Sequence, residues 1–426
     1  MVNVPQEVIP APGPTDRRRL AVTVICLNAL TAYASTTFPI FGTRIRELFS
    51  LSAEQYGTLM GMQSLGRIPA LLSVGPLISR FGVRRIAELG IIGSGASFLL
   101  LGIGGSLLSF RFGLTSLGLL TAIGAVAYPA FLFTLYPDVK RRIFSVNLVS
   151  ASAPAMLIPI LAGKMLRWSE SGGDEAFRWI LYVPYLMIGS ALVGCGLFMA
   201  VRKYAPDESA DNKTGANQPQ STSRSRLVEL LNIRSLLEIV LICLHSAADN
   251  TVYMFLPMLM ENQFDDLPIA PAYAVAGHAL AYVVTRSLLS VMPERIGQRA
   301  ILCLSGPIGG LIVMASIWSG NPTYVPLLYT LACFFFAAEY PTLISELSSR
   351  SIGNLGTILA AGLLLSELAT FTMLKMTGRL ADQTDDYRVA LSFAASGFVA
   401  FGAIAFLTGL GRTRCAASRQ YDVEHE

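Results

Sequence analysis

The sequence has few charged residues for its length. Of its 426 residues, 14% are charged and 53% are hydrophobic, and the mean hydropathy is +0.54. A soluble globular protein has about 25% charged residues. The shortage of charge therefore excludes an ordinary soluble protein and predicts one that lies in a lipid bilayer.

The sequence also lacks the motifs on which common enzyme and metal chemistry depends. It contains no H-E-x-x-H, no G-x-S-x-G and no nucleotide-binding G-x-x-x-x-G-K-[ST]. Its six cysteines form no C-x-x-C pair, so neither a zinc site nor a disulfide framework is indicated. They are Cys26, Cys195, Cys243, Cys303, Cys333 and Cys415. We expect a protein that is not an enzyme and that holds no cofactor or metal.

Long apolar stretches are what the sequence has instead. A helix needs about 20 mainly apolar residues to cross a bilayer, and twelve stretches come close to that length. They lie at residues 20–43, 53–78, 86–104, 111–136, 143–166, 178–201, 235–260, 269–292, 300–318, 326–347, 355–376 and 388–410. The pattern predicts an all-α membrane protein with twelve transmembrane helices.

The distribution of basic residues predicts the orientation, because Lys and Arg collect in cytoplasmic loops. With both termini inside, 21 of the 32 Lys and Arg lie on the cytoplasmic side and nine lie outside, while Arg67 and Arg286 fall within spans. We therefore expect a multi-pass protein of the cytoplasmic (inner) membrane with both termini in the cytoplasm. The net charge of +4 then reflects topology, and no nucleic-acid partner is expected.

The second half of the sequence repeats features of the first. The segments at 75–85 (GPLISRFGVRR) and 290–300 (SVMPERIGQRA) share the form small-x-x-x-polar-Arg-x-Gly-x-Arg, and Ile-Cys-Leu-Asn at 25–28 is matched by Ile-Cys-Leu-His at 242–245. Residues 202–226 between the halves have the polar composition of a flexible linker. The predicted division is a disordered cytoplasmic N-terminus (1–19), a six-helix bundle (20–201), a cytoplasmic linker (202–234), a second, pseudo-symmetric six-helix bundle (235–410) and a cytoplasmic tail (411–426).

The two repeated loops resemble the loop between helices two and three of the major facilitator superfamily and its weaker copy between helices eight and nine. The resemblance implies a carrier that works by alternating access, with these loops as latches on the cytoplasmic side. Ser79 stands where that family usually has Asp, which weakens the charged part of the first latch. The glycine-rich helix-five signature of proton-driven exporters is not recognisable around Pro154, and this disfavours a drug antiporter. The predicted latch residues are Gly75, Ser79, Arg80, Gly82, Arg84, Arg85, Glu294, Arg295, Gly297 and Arg299.

Five ionisable residues fall near the middle of predicted spans. An ionisable group at the centre of a bilayer costs about 2.5 to 3.5 kcal/mol, so each such group is a functional candidate. The alternative is that each is neutralised by another in a structural ion pair. The five are Arg67, Asp249, Arg286, Glu339 and Glu367.

Arg286 resembles the helix-eight arginine of several anion carriers in the superfamily, which transport monocarboxylates, oxalate and formate, or nitrate. Arg67 lies in the opposite half, and two guanidinium groups facing one cavity suit a carboxylate. Polar residues near them extend the predicted site, although helix-packing hydrogen bonds explain such residues equally well. The predicted substrate-binding residues are Arg67, Arg286, Gln63, Tyr282, Asn28, Tyr33, Asn250 and Tyr253.

Proton coupling requires a group near the cavity that can change its protonation. The candidates are Asp249, Glu339 and Glu367, together with His245, which lies one helical turn before Asp249. We expect His278 to be a hydrogen-bonded helix contact.

These features together predict a secondary active transporter, a proton-coupled symporter that moves a small carboxylate-like organic anion. Its expected partners are the small-molecule substrate, protons and the bilayer, and we expect a monomer. Two other kinds of carrier stay open, an exporter of amphipathic compounds or drugs and an importer of a neutral solute such as a sugar or amino acid. Outside the carriers, the alternatives are a transport-derived receptor and a membrane enzyme.

Overall fold

The computed structural model describes residues 14–136, 147, 152–170, 172–201, 233–264, 270–291, 298–343 and 355–407, and their regular structure is helical throughout. The helices are α1 (Pro14–Thr37), α2 (Gly42–Leu48), α3 (Ala53–Phe81), α4 (Val83–Ile103), α5 (Leu107–Leu135), α6 (Pro154–Glu170), α7 (Gly173–Val201), α8 (Ile233–Gln263), α9 (Ala270–Val291), α10 (Gln298–Trp318), α11 (Tyr324–Phe336), α12 (Leu355–Thr384) and α13 (Tyr387–Leu407). Every predicted span overlaps one of them, and the short helix α2 is additional.

Seven of the described helices are long and apolar enough to cross a membrane by length and composition alone. They are α1, α4, α5, α7, α8, α10 and α13. Among the other predicted spans, α6 and α11 are short in the described chain, with 17 and 13 residues. The remaining three, α3, α9 and α12, carry Arg67, Arg286 and Glu367. Each of these three helices thus carries one of the five midplane charges, as α8 does with Asp249.

Local sequence explains where several helices begin and end. Ser52 begins α3 with a capping box to Gln55. Between α3 and α4, Gly82 adopts φ 83° and ψ 149°, a conformation that favours glycine. The chain turns at residues 337–338, after α11, and is helical again at 339–343. Pro341 explains this break because it has no N–H to donate to the carbonyl four residues earlier.

The helices pack in two groups, each continuous in sequence. Helices α1 to α7 pack on one another, as do α8 to α13, and the described parts of the two groups meet mainly where α3 packs on α12, α6 on α9 and α2 on α8. The contact between α3 and α12 is the most extensive of any described pair. The predicted bundles at 20–201 and 235–410 stay a prediction in their exact limits.

Glycine allows α3 and α12 to approach closely where α3 begins and α12 ends. A Cβ atom on Gly57 would lie 2.3 Å from the carbonyl oxygen of Leu374, and one on Gly378 would lie 2.2 Å from that of Ala53. No larger residue fits at either position unless the backbones separate. We call this end of the molecule the sealed end.

Aromatic side chains fill the space beside the seam at the sealed end. The fully buried hydroxyl of Tyr56 donates to the carbonyl of Phe38 at 3.2 Å. The ring of Tyr56 meets Phe255 of α8 edge to face at 5.7 Å. Arg46 of α2 donates a hydrogen bond to the hydroxyl of Tyr387 on α13. Contacts from four helices therefore close this end between the two groups.

A carboxylate also ties the two groups at the sealed end. The Oδ1 and Oδ2 atoms of Asp382 on α12 accept hydrogen bonds from the backbone N–H groups of Ala53 and Glu54, each at 2.8 Å. These are N–H groups of the first turn of α3, which lack partners within their helix and carry the positive end of its dipole. Burial raises the pKa of Asp382, but these two bonds and the side chain of Ser52 outweigh it and hold the pKa below its usual range.

Gly57→Ala should weaken the seal because the added methyl group forces the α12 backbone away. Overpacking of this kind costs about 1 to 3 kcal/mol, so we expect a broader and longer distance between spin labels placed at exposed positions 47 and 383 in a cysteine-free background. Gly194→Ala is the matched control, since a Cβ there would meet nothing within 4 Å. An unchanged distance in Gly57→Ala would contradict this account of the seam.

The Asp382 contact should make the seal sensitive to acid. Because the sealed conformation lowers the pKa of Asp382, its stabilisation is present above the ordinary aspartate pKa of about 4 and is lost as the pH falls through the lowered value. Asp382→Asn should shift the population away from the sealed state by about two- to fivefold at neutral pH, the effect of about 0.3 to 1 kcal/mol for a charge at a helix N-terminus. Label distances measured from pH 7 to 3 test this, with Asp385→Asn as the control; equal pH responses in the two variants would refute it.

Candidate functional site

Four of the five midplane charges take part in three separate contacts. Arg67 on α3 meets Glu367 on α12, whereas Glu339 lies against His245 and Asp249 lies against residues of α9. His245 and Asp249 are one turn apart on α8, yet they bond to different partners. Several of these residues therefore form structural pairs, which is the alternative to substrate binding.

Arg67 and Glu367 form a pair that joins the two helix groups. Nη1 of Arg67 lies 3.2 Å from Oε1 of Glu367, and the two side chains are 35% and 17% exposed. A pair this accessible keeps part of its hydration, so it can separate at lower cost than a fully buried pair. It occupies the α3–α12 seam, farther from the sealed end than the glycine contacts.

Glu339 is the most deeply buried of the acids. Its side chain is 0% exposed, its Oε2 atom lies 2.7 Å from Nδ1 of His245, and its Oε1 atom accepts a hydrogen bond from Ser305 at 3.0 Å. The rings of Phe398 and Phe401 each lie 6.2 Å from the imidazole. Both carboxylate oxygens are satisfied within the described chain, and the site is closed to solvent, as is typical of a structural pair.

Asp249 is held by two residues of α9. The hydroxyl of Tyr282 donates to Oδ2 at 2.6 Å, and Nε2 of His278 lies 3.2 Å from Oδ1. The imidazole stacks on Tyr282, with centroids 4.3 Å apart, and lies 4.7 Å from the ring of Tyr253. Tyr329 of α11 stacks at 6.1 Å. We call Asp249, Tyr253, His278, Tyr282 and Tyr329 the tyrosine cluster.

Arg286 differs from the other midplane charges. Its side chain is exposed and its guanidinium carbon lies 4.6 Å from the centroid of the Tyr282 ring. Within the part of the chain that the structure describes, no carboxylate oxygen lies within 4.0 Å of it. A cation held on an aromatic face with open donors is chemically suited to an anion.

The other predicted substrate-binding residues have partners of their own. Asn28 donates to Asn147 at 3.2 Å, and Asn250 donates to the carbonyl of Ser246 on its own helix at 2.7 Å. Tyr33 meets Tyr185 edge to face at 5.7 Å. Gln63 lies one turn before Arg67 and is half-buried. The structure brings Tyr253, Tyr282 and Arg286 together, but it gives Asn28 and Tyr33 contacts within the first group of helices.

The first predicted latch is described, whereas most of the second is not. Ser79 donates to the carbonyl of Gly75 at 3.1 Å, and Arg80 lies over the ring of Phe81 at 5.3 Å. Arg84 bonds to Glu88 at 2.7 Å and to the carbonyl of Met199 on α7 at 3.1 Å, so it links α4 to α7.

Arg85, the next residue in α4, is exposed. Glu294, Arg295, Gly297 and the side chain of Arg299 lie outside the described residues.

Sequence reasoning missed two contributors. Ser305 binds Glu339 but stands in an apolar helix with no pattern that marks it. Asp382 follows its predicted span and caps a helix more than 300 residues away, which no local signal reveals. His278 was expected to be a hydrogen-bonded helix contact, and its Nε2 atom does lie within hydrogen-bonding distance of Asp249.

Comparison with known proteins places this arrangement in a family. The family model described as Major Facilitator Superfamily matches residues 23–371. A search of curated protein sequences found no match. Among solved structures, a bacterial homologue of the human lysosomal transporter Spinster, in an inward-facing and occupied conformation, is 12% identical with a TM-score of 0.70 over 93% of this chain and 98% of that one.

Two further solved structures share the fold. The E. coli fucose:proton symporter FucP is 16% identical, with a TM-score of 0.61 over 92% of this chain and 98% of that one. The nucleoside transporter NupG is 12% identical, with a TM-score of 0.70 over 92% of this chain and 100% of that one. Because the family match covers most of the sequence and the helical fold agrees with it, this chain belongs to the major facilitator superfamily and is an integral, multi-pass membrane transporter rather than an enzyme.

Proposed function

We propose that this carrier moves a small organic anion of the carboxylate type across the cytoplasmic membrane by alternating access, together with protons. The proposal includes both termini in the cytoplasm, as the basic loops predict, and a monomer as the working unit. The observation that carries it is Arg286, an exposed guanidinium within a membrane helix that has no carboxylate within 4.0 Å among the described residues. An uncompensated charge at this depth is costly unless a ligand of opposite sign occupies it.

Arg286 is held in a way that leaves its donors open. Its guanidinium carbon lies over the ring of Tyr282, whose hydroxyl donates to Asp249. A cation–π contact needs no hydrogen bond from the guanidinium. Two of its N–H groups can bind a carboxylate in bidentate fashion. The sequence resemblance of Arg286 to the helix-eight arginine of anion carriers supports the same role.

Arg67 fits a secondary role in the same proposal. It is paired with Glu367, so an incoming carboxylate competes with that side chain for the guanidinium. Such competition favours release of the α3–α12 seam when the substrate is bound. In this account Arg286 binds the anion first and Arg67 responds to it.

Among the acids proposed for proton coupling, Asp249 has the most favourable position. Its side chain is 15% exposed and its oxygens contact His278 and Tyr282 beside Arg286. Glu339 is 0% exposed and already bound by His245 and Ser305, so water reaches it less readily. Glu367 is 17% exposed, but it is already paired with Arg67.

The tyrosine cluster favours a second candidate, uptake of a neutral solute. Aromatic faces of Tyr253, His278 and Tyr282 lie together and are partly exposed, and such faces suit the apolar side of a sugar or a nucleobase. Two proteins with this fold are named as a fucose:proton symporter and a nucleoside transporter. In this case the arginines serve only as structural charges.

A thermal-stability screen should separate the two candidates. A ligand that binds only the folded carrier adds about 2.7 kcal/mol of stability at 100 times its Kd. We expect pyruvate, oxalate or succinate to raise the melting temperature more than fucose, uridine or a cationic drug, more strongly at pH 5.5 than at pH 7.5. Loss of a charge-assisted bond of about 1.5 to 3 kcal/mol should raise the Kd about ten- to a hundredfold in Arg286→Gln, so the same ligand concentration should raise the melting temperature less. Arg178→Gln, an exposed arginine at the start of α7, is the control. Stabilisation by a neutral or cationic compound that persists in Arg286→Gln would move the assignment to the rival carriers.

Charge exchange tests the pair between the groups. Arg67→Glu and Glu367→Arg each place like charges about 3 Å apart and should lower the melting temperature, whereas the double exchange should regain most of the loss. Anion uptake should stay low in the exchanged carrier because the guanidinium has moved to the other half. An exchanged carrier no more stable than the single variants would contradict the pairing, and full recovery of uptake would remove Arg67 from the anion site.

A further inference from the structure

His278 lies at the centre of the tyrosine cluster, and proton coupling through Asp249 alone leaves it without a role. An ionised Asp249 is a hydrogen-bond acceptor only, so Nε2 of His278, 3.2 Å from its Oδ1, carries the hydrogen in that bond. Within the described residues no hydrogen-bond partner faces the other ring nitrogen, Nδ1. That nitrogen has a lone pair that can accept a proton.

The surroundings of His278 suit its charged form. The imidazole stacks on the ring of Tyr282 and lies at a tilt against the ring of Tyr253, with centroids at 4.3 and 4.7 Å, and aromatic rings attract a cation at these distances. A proton on Nδ1 would also convert the Asp249 contact into an ion pair. At 16% exposure, the His278 side chain is within reach of water.

Charge balance explains why a proton is needed there. Arg67 and Glu367 neutralise each other, which leaves Arg286 and Asp249 as opposite charges on either side of Tyr282. A monovalent anion on Arg286 would leave this region with one net negative charge, which a medium of low dielectric constant strongly disfavours. One proton restores neutrality.

We propose that His278 takes up one proton at Nδ1 for each monovalent carboxylate that Arg286 binds, and loses it when the carboxylate leaves. This inference rests on the proposed function and adds a proton carrier and a stoichiometry to it. The proton enters from water as the N–H bond forms and returns to water on the other side of the membrane, so no other bond changes. His278 is thus the proton carrier, Asp249 is its fixed counter-ion, and Tyr282 separates His278 from the anion.

The distances allow direct electrostatic coupling. The separations between the centroids of His278 and Tyr282 and between Tyr282 and Arg286 place the guanidinium carbon within about 9 Å of the imidazole. At an effective dielectric constant of about 20, the interaction between two unit charges at this distance shifts a titration midpoint by about one pH unit.

The other ionisable groups near His278 lie on the helices around it. Asp249 and Tyr253 face it from α8, Tyr329 faces it from α11, and Tyr282 and Arg286 share its own helix. Cys333 of α11 lies near Asp249 and Tyr329. His245 lies one turn before Asp249 on α8 and is bound to Glu339. Helix α6 also packs on α9, but its Lys164 and Arg167 are exposed near the end of α6.

Nitrogen NMR of the histidines tests the inference without a substrate. The chain has three histidines, His245, His278 and His425, so 15N-labelled imidazoles of the full-length carrier in lipid nanodiscs can be assigned with His278→Gln and His245→Gln. In Arg286→Gln the midpoint of the His278 titration should rise by about one pH unit because a nearby cation is removed. In Asp249→Asn it should fall, because the counter-ion is removed. Arg178→Gln should leave it unchanged.

The outcomes separate this inference from the proposed function. Opposite shifts of the His278 midpoint in Arg286→Gln and Asp249→Asn would support coupling. An unchanged midpoint in Arg286→Gln, or an imidazole that never protonates between pH 5 and 8, would overturn the inference. Neither of these two results would contradict anion binding by Arg286. Should the thermal screen find no stabilising carboxylate, the anion assignment fails, and with it the paired uptake of anion and proton, whatever the NMR shows. If only one of the two variants folds, its shift alone decides, since the expected signs are opposite.

Discussion

The low dielectric constant of the bilayer interior is the constraint on which this structure depends. A charge there must have a counter-charge, a hydrogen-bonding partner or water. Arg67 is paired with Glu367, and Glu339 is bound by His245 and Ser305. Arg286 and Asp249 satisfy the constraint in a third way, through a tyrosine ring between them. Because direct pairing is absent there, this is where an added anion or proton changes the charge balance most, and a carrier needs its substrate to alter the relative stability of its states.

The α3–α12 seam converts that local balance into a conformation of the whole molecule. Gly57 and Gly378 bring two backbones into direct contact, and Asp382 adds hydrogen bonds to the N-terminus of α3. Contacts between backbones do not depend on flexible side chains, so this part of the seam is either closed or broken. Arg67 and Glu367 lie on the same two helices, which means that an event at the midplane and the closure of the sealed end share one mechanical element.

The sequence predicted the helices far better than the contacts between them. Each of the twelve predicted spans overlaps a described helix, because a helix satisfies its own backbone hydrogen bonds and apolar length alone is enough to predict it. The pairing of Arg67 with Glu367, 300 positions away, depends on how two helices cross, and a single sequence carries no signal for that. The break before Pro341 was foreseeable from its missing N–H, whereas Pro257 lies within α8 without ending it. His278 was expected to be a helix contact; it does contact Asp249, and the chemistry that this permits was visible only once Tyr253 and Tyr282 were found around it.

The order in which these contacts break follows from their positions along the seam. The hydrogen bonds of Asp382 and the contact of Gly57 lie at the sealed end and must both be lost when it opens. The Arg67–Glu367 pair lies deeper and is partly hydrated, so it can exchange partners before the seam separates. If the proposed function is right, a carboxylate that approaches Arg67 takes the place of Glu367. The guanidinium then stays paired while the seam opens, which removes the free-energy cost of leaving it unpaired. A loaded carrier would then open more readily than an empty one, which is the property that links movement of the helices to movement of the substrate.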